Sequence, residues 1–409
     1  MTTSTTPLTD LPPRFSDAAM SALVDRPVRF DLAESTCPSL RLGDLFTPAV
    51  LDRLEKVEIG YGTTEGDPHL RALVAAGAGV RADQVLVTAG ASSALFLVAL
   101  STCGPGDHAV LLAPYFPPTR AVLDALAVRT STVGLDFDRG YRLDEQAVDA
   151  VAATLTPETR LVVLASPQNP SGVRVTEPEL RRLLERMTVL APRAVLLVDE
   201  TYRESTYGGA RPPASAAALS PRVVTCSSLS KAHGAPGLRV GWLTATDPAL
   251  RERLRAAKFN TSVCCSGMAE ALAVEVLDRA EEVLADRSAL LTSTVDVLTR
   301  WAREHADVLE FLPPDGGAMC CLRLRADRVD DGAVPAFYEA LAAREVRVAP
   351  GAWFAEPDRV FRVGFGHLPE ESFRVALDRV SDALSVLPGP SELETGNGCG
   401  NATPSPSME

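Results

Sequence analysis

The sequence predicts an α/β protein, with a mostly parallel β-sheet sandwiched by helices and a smaller α+β unit toward the C-terminus. Three observations carry this reading. Short, continuous apolar runs recur through the first half of the chain. Stretches of helical period separate most of them, and one long helical stretch then gives way to a new group of strand candidates. Apolar strands that alternate with helices are what a parallel sheet covered on both faces requires.

In order, the strand candidates are VLVTAG (85–90), HAVLLAPY (108–115), LVVLASP (161–167), AVLLVDE (194–200) and RVVTCSS (222–228). Between them, SALFLVALS (93–101), TRAVLDALA (119–127), LDEQAVDAVAATL (143–155) and EPELRRLLERMTVL (177–190) repeat apolar residues at helical spacing. Residues 269–305 read as a long helical region. Beyond it, AMCCLRLR (318–325), VRVAP (346–350) and VFRVGFG (360–366) read as strands, and EESFRVALDRVSDAL as the closing helix. A chain of 409 residues suits two such units. The expected divisions are an N-terminal arm and substrate-entry loop (1–45), a large ligand-binding domain (46–290), a small domain (291–387) and a disordered tail (388–409) rich in Ser, Thr, Pro and Gly.

The formal net charge of -13 argues against a nucleic-acid binder, although a few arginines inside a cleft can still hold an anion. No stretch is apolar for the length a membrane span needs, and the opening MTTSTTPLTDLPPRF lacks a signal-peptide pattern, so a cytoplasmic enzyme is expected. Cysteines at 37, 103, 226, 264, 265, 320, 321 and 399 form no CxxC, which suggests neither a metal site nor a disulfide framework.

In sheets of this kind ligands bind just outside the carboxyl ends of the strands. The strongest local signal there is SSLSKAHGAPGLRVGW (227–242). A lone lysine is usually a solvated charge, but Lys231 sits in a small-residue loop after a buried strand. Its amine can form a Schiff base with an aldehyde and shuttle a proton. Ser228, Ser230 and Arg239 supply donors suited to a phosphate. In VDETY (198–202), Asp199 reads either as a helix cap or as a carboxylate that keeps a pyridine nitrogen protonated. Tyr202 then lies on the same side and can donate to a ring's phenolic oxygen. SPQNPSG (166–172) is a turn first, and within the set Asn169 becomes a second such donor. TAGASSA (88–94) turns a strand into a helix, where open N–H groups bind anions and Gly90 permits close approach. Phe116 reads as a core aromatic or as a ring stacked on a flat ligand. Arg362, in a strand beside glycines, is either a surface charge or a bidentate partner for a carboxylate.

In this order and spacing, together with YGTTEGDPHLR (61–71), the motifs resemble the class I/II aminotransferases of fold type I, the relatives of aspartate aminotransferase, over roughly residues 30 to 386. The resemblance implies pyridoxal 5'-phosphate (PLP) as cofactor, and an α-amino acid and a keto acid as substrates. It makes Lys231 the Schiff-base lysine, Asp199 the partner of the pyridine nitrogen, and Asn169 with Tyr202 the ligands of the phenolic oxygen. Gly90, Ala91, Ser92, Ser228, Ser230 and Arg239 match the phosphate cup, and Phe116 the stacking aromatic. Arg362, with Asn169 beside it, matches the clamp on the substrate α-carboxylate. Tyr61 matches a tyrosine that reaches the phosphate of the neighbouring subunit, which implies a homodimer with shared active sites.

One region departs from the pattern. Where relatives carry a small loop with glycine, this chain reads DLAESTCPSL, with Glu34 and Ser35 at about the substrate position. Glu34 is then either a solvated loop charge or a residue facing the substrate that selects a cationic or polar side chain. The same constellation also supports β-elimination by a carbon–sulfur lyase, decarboxylation, oxidative deamination or cyclisation, as in natural-product pathways. A non-catalytic sensor domain of a transcriptional regulator is not expected, because only about thirty mostly polar residues precede the first matched segment, and an inactive scaffold is disfavoured because Lys231, Asp199 and Arg362 are all present.

Overall fold

A computed structural model describes Phe15 and residues 19–387; the tail expected from residue 388 and most of the first eighteen residues lie outside it. The first strand, β1 (Phe30–Asp31), stands apart from the main sheet. That sheet is built from β2 (Val85–Thr88), β3 (His108–Ala113), β4 (Arg129–Gly134), β5 (Thr159–Ala165), β6 (Val195–Asp199), β7 (Val223–Ser228) and β8 (Gly241–Ala245). Its order is β2-β8-β7-β6-β5-β3-β4. β8 runs antiparallel to both of its neighbours and every other pair is parallel.

Side-chain alternation explains why these strands read as unbroken apolar runs. Along β3, Val110 and Leu112 face one core with Val162, Leu164, Leu196 and Val198, under helices Glu145–Thr154 and Glu177–Leu190. Ala109 and Leu111 face the opposite core with Leu161, Val163 and Leu197, under helices Gly90–Thr102 and Pro248–Ser262. Both faces are dry, so neither can be polar.

Two strands of the sheet carry no such signal. β4 is the edge strand, and of its residues RTSTVG only Val133 is buried. β8 (GWLTA) is fully buried, yet it falls inside the glycine-bearing motif that follows Lys231. The long helical region is two helices, Gly267–Asp278 and Ala280–Glu304. Arg279 leaves helical geometry between them, and its guanidinium donates to the Asp44 carbonyl at 2.7 Å and pairs with Glu282 at 3.0 Å.

The C-terminal strands are β9 (Leu309–Leu312), β10 (Met319–Leu324), β11 (Val346–Arg347), β12 (Ala349–Pro350) and β13 (Val360–Gly364). Four form an antiparallel sheet in the order β12-β13-β10-β9. VRVAP is therefore two short strands, because β11 leaves that sheet to pair in parallel with β1. Leu298, Trp301, Phe337, Phe361, Phe373 and Leu377 fill the core between this sheet and its helices. Arg347 pairs with Asp31 across the β1–β11 ribbon, both largely shielded from water. Among the described residues no helix is long and apolar enough to cross a membrane.

Candidate active site

The carboxyl ends of β6 and β7, the loop after β5 and strand β13 converge on one cleft. At one end of it, Thr88, Gly241 and Ser228 lie side by side in register across β2, β8 and β7. Helix Gly90–Thr102 begins there with no side-chain cap, so its first amides are open to an anion. Gly90 adopts φ +79°, and a Cβ at that position would lie 2.5 Å from Arg239 Nη2. A Cβ on Gly241 would meet Gly90 C at 2.6 Å and Ala91 N at 2.7 Å. The two glycines thus let Arg239 and the Ala91–Ser92 turn close on one point. The amide of Ser230 donates to Ser228 Oγ at 3.3 Å, which gathers the hydroxyls on the same side. Gly90→Ala is expected to weaken cofactor binding at least about tenfold, since an L-residue at positive φ costs roughly 1–2 kcal/mol before Arg239 is displaced. Titration of the apoenzyme by fluorescence checks this, and an unchanged affinity contradicts it.

Asp199 ends β6. Its Oδ1 accepts from the Thr201 amide at 3.0 Å and from the Thr201 hydroxyl. Burial pushes its pKa up, against the opposing pull of those hydrogen bonds, Cys226 and Lys231. Lys231 Nζ lies 5.7 Å from the Tyr202 ring centroid and 3.2 Å from Ser35 Oγ. Ser35 Oγ in turn lies 2.9 Å from the Tyr202 hydroxyl. Burial is the largest single influence on the Lys231 amine and lowers its pKa, but Tyr202 and Glu34 together outweigh it and the net direction is upward.

Arg362 is only 2% exposed, in β13, an inner strand of the small sheet. One Nη donates to Asn169 Oδ1 at 2.7 Å and the other to the Ala33 carbonyl. The guanidinium lies 4.9 Å from the centre of the Phe354 ring, and its buried Nε has no partner. A carboxylate supplies what that orphaned donor lacks.

Glu34 lies in the cleft. Its Oε1 accepts from the Ser35 amide at 2.8 Å and sits 3.4 Å from Lys231 Nζ. Burial alone would raise its pKa, but Lys231, Arg362, the Ser35 amide and His367 reverse this and hold it at about 2. With these partners in place its ionised form is favoured.

Lys231, Asp199, Tyr202, Asn169, Arg362, Glu34 and Ser35 therefore gather in one place, with Gly90, Ala91, Ser92, Ser228, Ser230 and Arg239 forming a separate cradle. Phe116 caps helix Pro117–Ala125 and packs half-buried against the sheet core. Tyr61 is not part of the cluster around Lys231; it stands 92% exposed in the loop before helix Pro68–Ala78. Three contributors had no signal of their own in the sequence: Thr201 on Asp199, Phe354 under Arg362, and His367 beside Glu34. His367 directly follows FRVGFG, so the motif could have been extended to it.

These residues fit PLP. Asp199 has one oxygen held by Thr201 and the other available to a ring nitrogen, Lys231 offers a primary amine, and the Gly90–Arg239 cradle offers amides and a guanidinium.

The family "Aminotransferase class I and II" matches residues 51–380. An arginine–pyruvate transaminase of Pseudomonas aeruginosa is 34% identical over 202 residues, 48% of this chain and 50% of that protein, so the match spans half the relative's length. A capreomycidine synthase of Streptomyces vinaceus is 29% identical over 363 residues, 87% of this chain and 90% of that protein. Among solved structures the PLP-dependent cyclase OrfR superposes with a TM-score of 0.79 at 27% identity, over 92% of this chain and 99% of that one. With the family matched over residues 51–380, and the cradle, lysine and carboxylate in the places just described, the chain belongs to the class I and II aminotransferases.

Proposed function

We propose that this chain is a PLP-dependent aminotransferase that moves the amino group of an α-amino acid to a keto acid. The observation that carries the reading is the convergence of Lys231, Asp199, Asn169 and Arg362 on one cleft, with an anion cradle at its other end.

Arg362, already fixed by Asn169 and the Ala33 carbonyl, takes the substrate carboxylate on its free Nε side. Asp199 holds the proton on the ring nitrogen. Bound PLP supplies an electron sink for the pair left at the substrate Cα. The Lys231 amine would take the proton from the substrate Cα and hold it on that face of the site for transfer. Tyr202 and Ser35 hold that amine from one side, and the hydroxyl-to-hydroxyl contact between them keeps both oriented.

The reading includes a homodimer. Ile59 and Tyr61 are almost wholly exposed in a loop whose backbone is tied down, by Lys258 Nζ to the Thr64 carbonyl and by Glu270 to the Asp67 amide at 2.8 Å. An anchored loop that offers apolar tips to solvent suits a second copy, with Tyr61 reaching the partner's phosphate cradle. Free cysteines throughout the described residues suit a reducing cytoplasm.

A second reading, within natural-product biosynthesis, has a specific observation in its favour. A synthase and a cyclase are matched over most of this chain, to the same extent as several aminotransferases. Under that reading the Cα deprotonated by Lys231 feeds loss of a β-substituent or ring closure.

A single experiment separates the two. Enzyme loaded with PLP is mixed with each common amino acid in the absence of any keto acid. Aminotransfer gives one equivalent of keto acid per site, with the cofactor left in its amine form. Continued turnover supports the second reading, and no spectral change with any amino acid overturns both.

A further inference from the structure

We infer that Glu34 selects the substrate's side chain, and that the amino acid taken carries a cationic group there, an ammonium or a guanidinium. The inference rests on the reading of this cleft as an amino-acid site, and it deepens that reading by naming the substrate class.

The argument is one of pairing charges. The cleft holds two carboxylates, Glu34 and Asp199, and three cationic or ionisable nitrogen groups that act on Glu34: Lys231, Arg362 and His367. Each has an assignment once the site is loaded, except one. Asp199 is matched by the protonated ring nitrogen and Arg362 by the substrate carboxylate. Before substrate arrives the Lys231 amine is engaged by the cofactor, with Ser35 Oγ as a neutral neighbour. His367 Nδ1 is engaged by Thr36 Oγ1 at 3.3 Å. Glu34 then loses its nearest counter-charge while remaining largely out of water. A half-buried anion left so is stabilised by a cation, and with the substrate's α-amino group committed to the cofactor, its side chain is what can bring one.

Geometry fits the role. The Glu34 backbone is clamped: a Cβ on Gly364 would lie 1.8 Å from the Glu34 carbonyl oxygen, and Arg362 holds the preceding carbonyl of Ala33. The Ser35 amide fixes the carboxylate through Oε1, so the side chain is presented on a rigid mount. Among the described residues Oε2 makes no hydrogen bond, which leaves it open to a donor from the cleft. A fixed anion 3.4 Å from Lys231 Nζ also repels a second carboxylate, so aspartate and glutamate are excluded by the same residue.

The test reads binding rather than turnover. α-Methyl amino acids have no proton to lose from Cα, so calorimetric titration of the PLP-loaded enzyme reports recognition alone. The wild type is expected to bind α-methylornithine roughly ten- to a hundredfold more tightly than the uncharged α-methylnorvaline, the range for a hydrogen bond to a charged partner. α-Methylaspartate should bind more weakly than either. Glu34→Gln should bring the ornithine-to-norvaline ratio to about one, and Glu34→Asp, which keeps the charge, should retain a preference for the cation. Equal binding of the three analogues by the wild type, or a cationic preference that survives Glu34→Gln, overturns the inference. Selective binding of the cation by a chain that transfers no amino group would retire the aminotransferase reading and leave this one standing.

Discussion

Lys231→Ala should abolish covalent attachment of PLP and lower turnover by at least about 10⁴-fold, the upper range for removal of a general acid–base group. Under the proposed function two roles are lost together, because the same Nζ would both link the cofactor and move the Cα proton. The diagnostic measurement is borohydride reduction of the loaded protein followed by mass spectrometry. The wild type should carry the reduced cofactor on the peptide containing Lys231 and the variant should carry none. The fold should survive, since among the described residues the Lys231 side chain hydrogen-bonds to Glu34 and Ser35, lies beside the Tyr202 ring and faces the cleft rather than a core. Cofactor trapped on another lysine of the wild type, or near-normal turnover by the variant, would sink the assignment. Lys258 is the useful control, because it is fully buried and committed to the Thr64 carbonyl, and should never be labelled.

Arg362→Lys should lower kcat/KM by roughly 30- to several-thousandfold, from the 2–5 kcal/mol expected when one partner of a buried, hydrogen-bonded charge pair is truncated. The substitution keeps a positive charge but loses the planar fork that reaches Asn169 Oδ1 and the Ala33 carbonyl at once. A lysine there satisfies one acceptor and strands the other. Comparing an amino acid with its decarboxylated amine separates recognition from scaffolding. If Arg362 holds the carboxylate, the amino acid loses far more than the amine. Equal losses for both would make Arg362 a structural residue only.

How far the sequence could be read depended on where each residue's partners lie. β3, β5, β6 and β7 were visible because both faces of each are buried, so apart from Thr225 their polar residues fall at the strand ends. β4 was invisible for the converse reason: an edge strand with one buried residue has no apolar pattern to show. Lys231, Asp199 and Asn169 were nameable because each sits in a short motif at a strand end. The state of Glu34 was not, because its environment is set by Lys231, 197 positions away, and by Arg362 and His367 farther still. DLAESTCPSL reads equally well as a surface loop until those side chains are brought to it. The partner of Arg362, 193 positions distant in Asn169, poses the same problem in reverse. Tyr61 belongs to a third kind, since its surroundings within one chain are solvent.

The ribbon formed by β1 and β11 has a consequence for how such proteins exchange parts. Asp31 and Arg347 pair across it, and Glu34 follows three residues later, clamped against Gly364. On the roles proposed for Glu34 and Arg362, side-chain choice and carboxylate capture would travel on one body assembled from two distant stretches of the chain. A chimera that imports only the C-terminal segment from a relative would join a foreign Arg362 neighbourhood to the native 30–37 stretch, and its specificity would be scrambled rather than transferred. Grafting the two segments together is the smallest transplant expected to carry a preference intact.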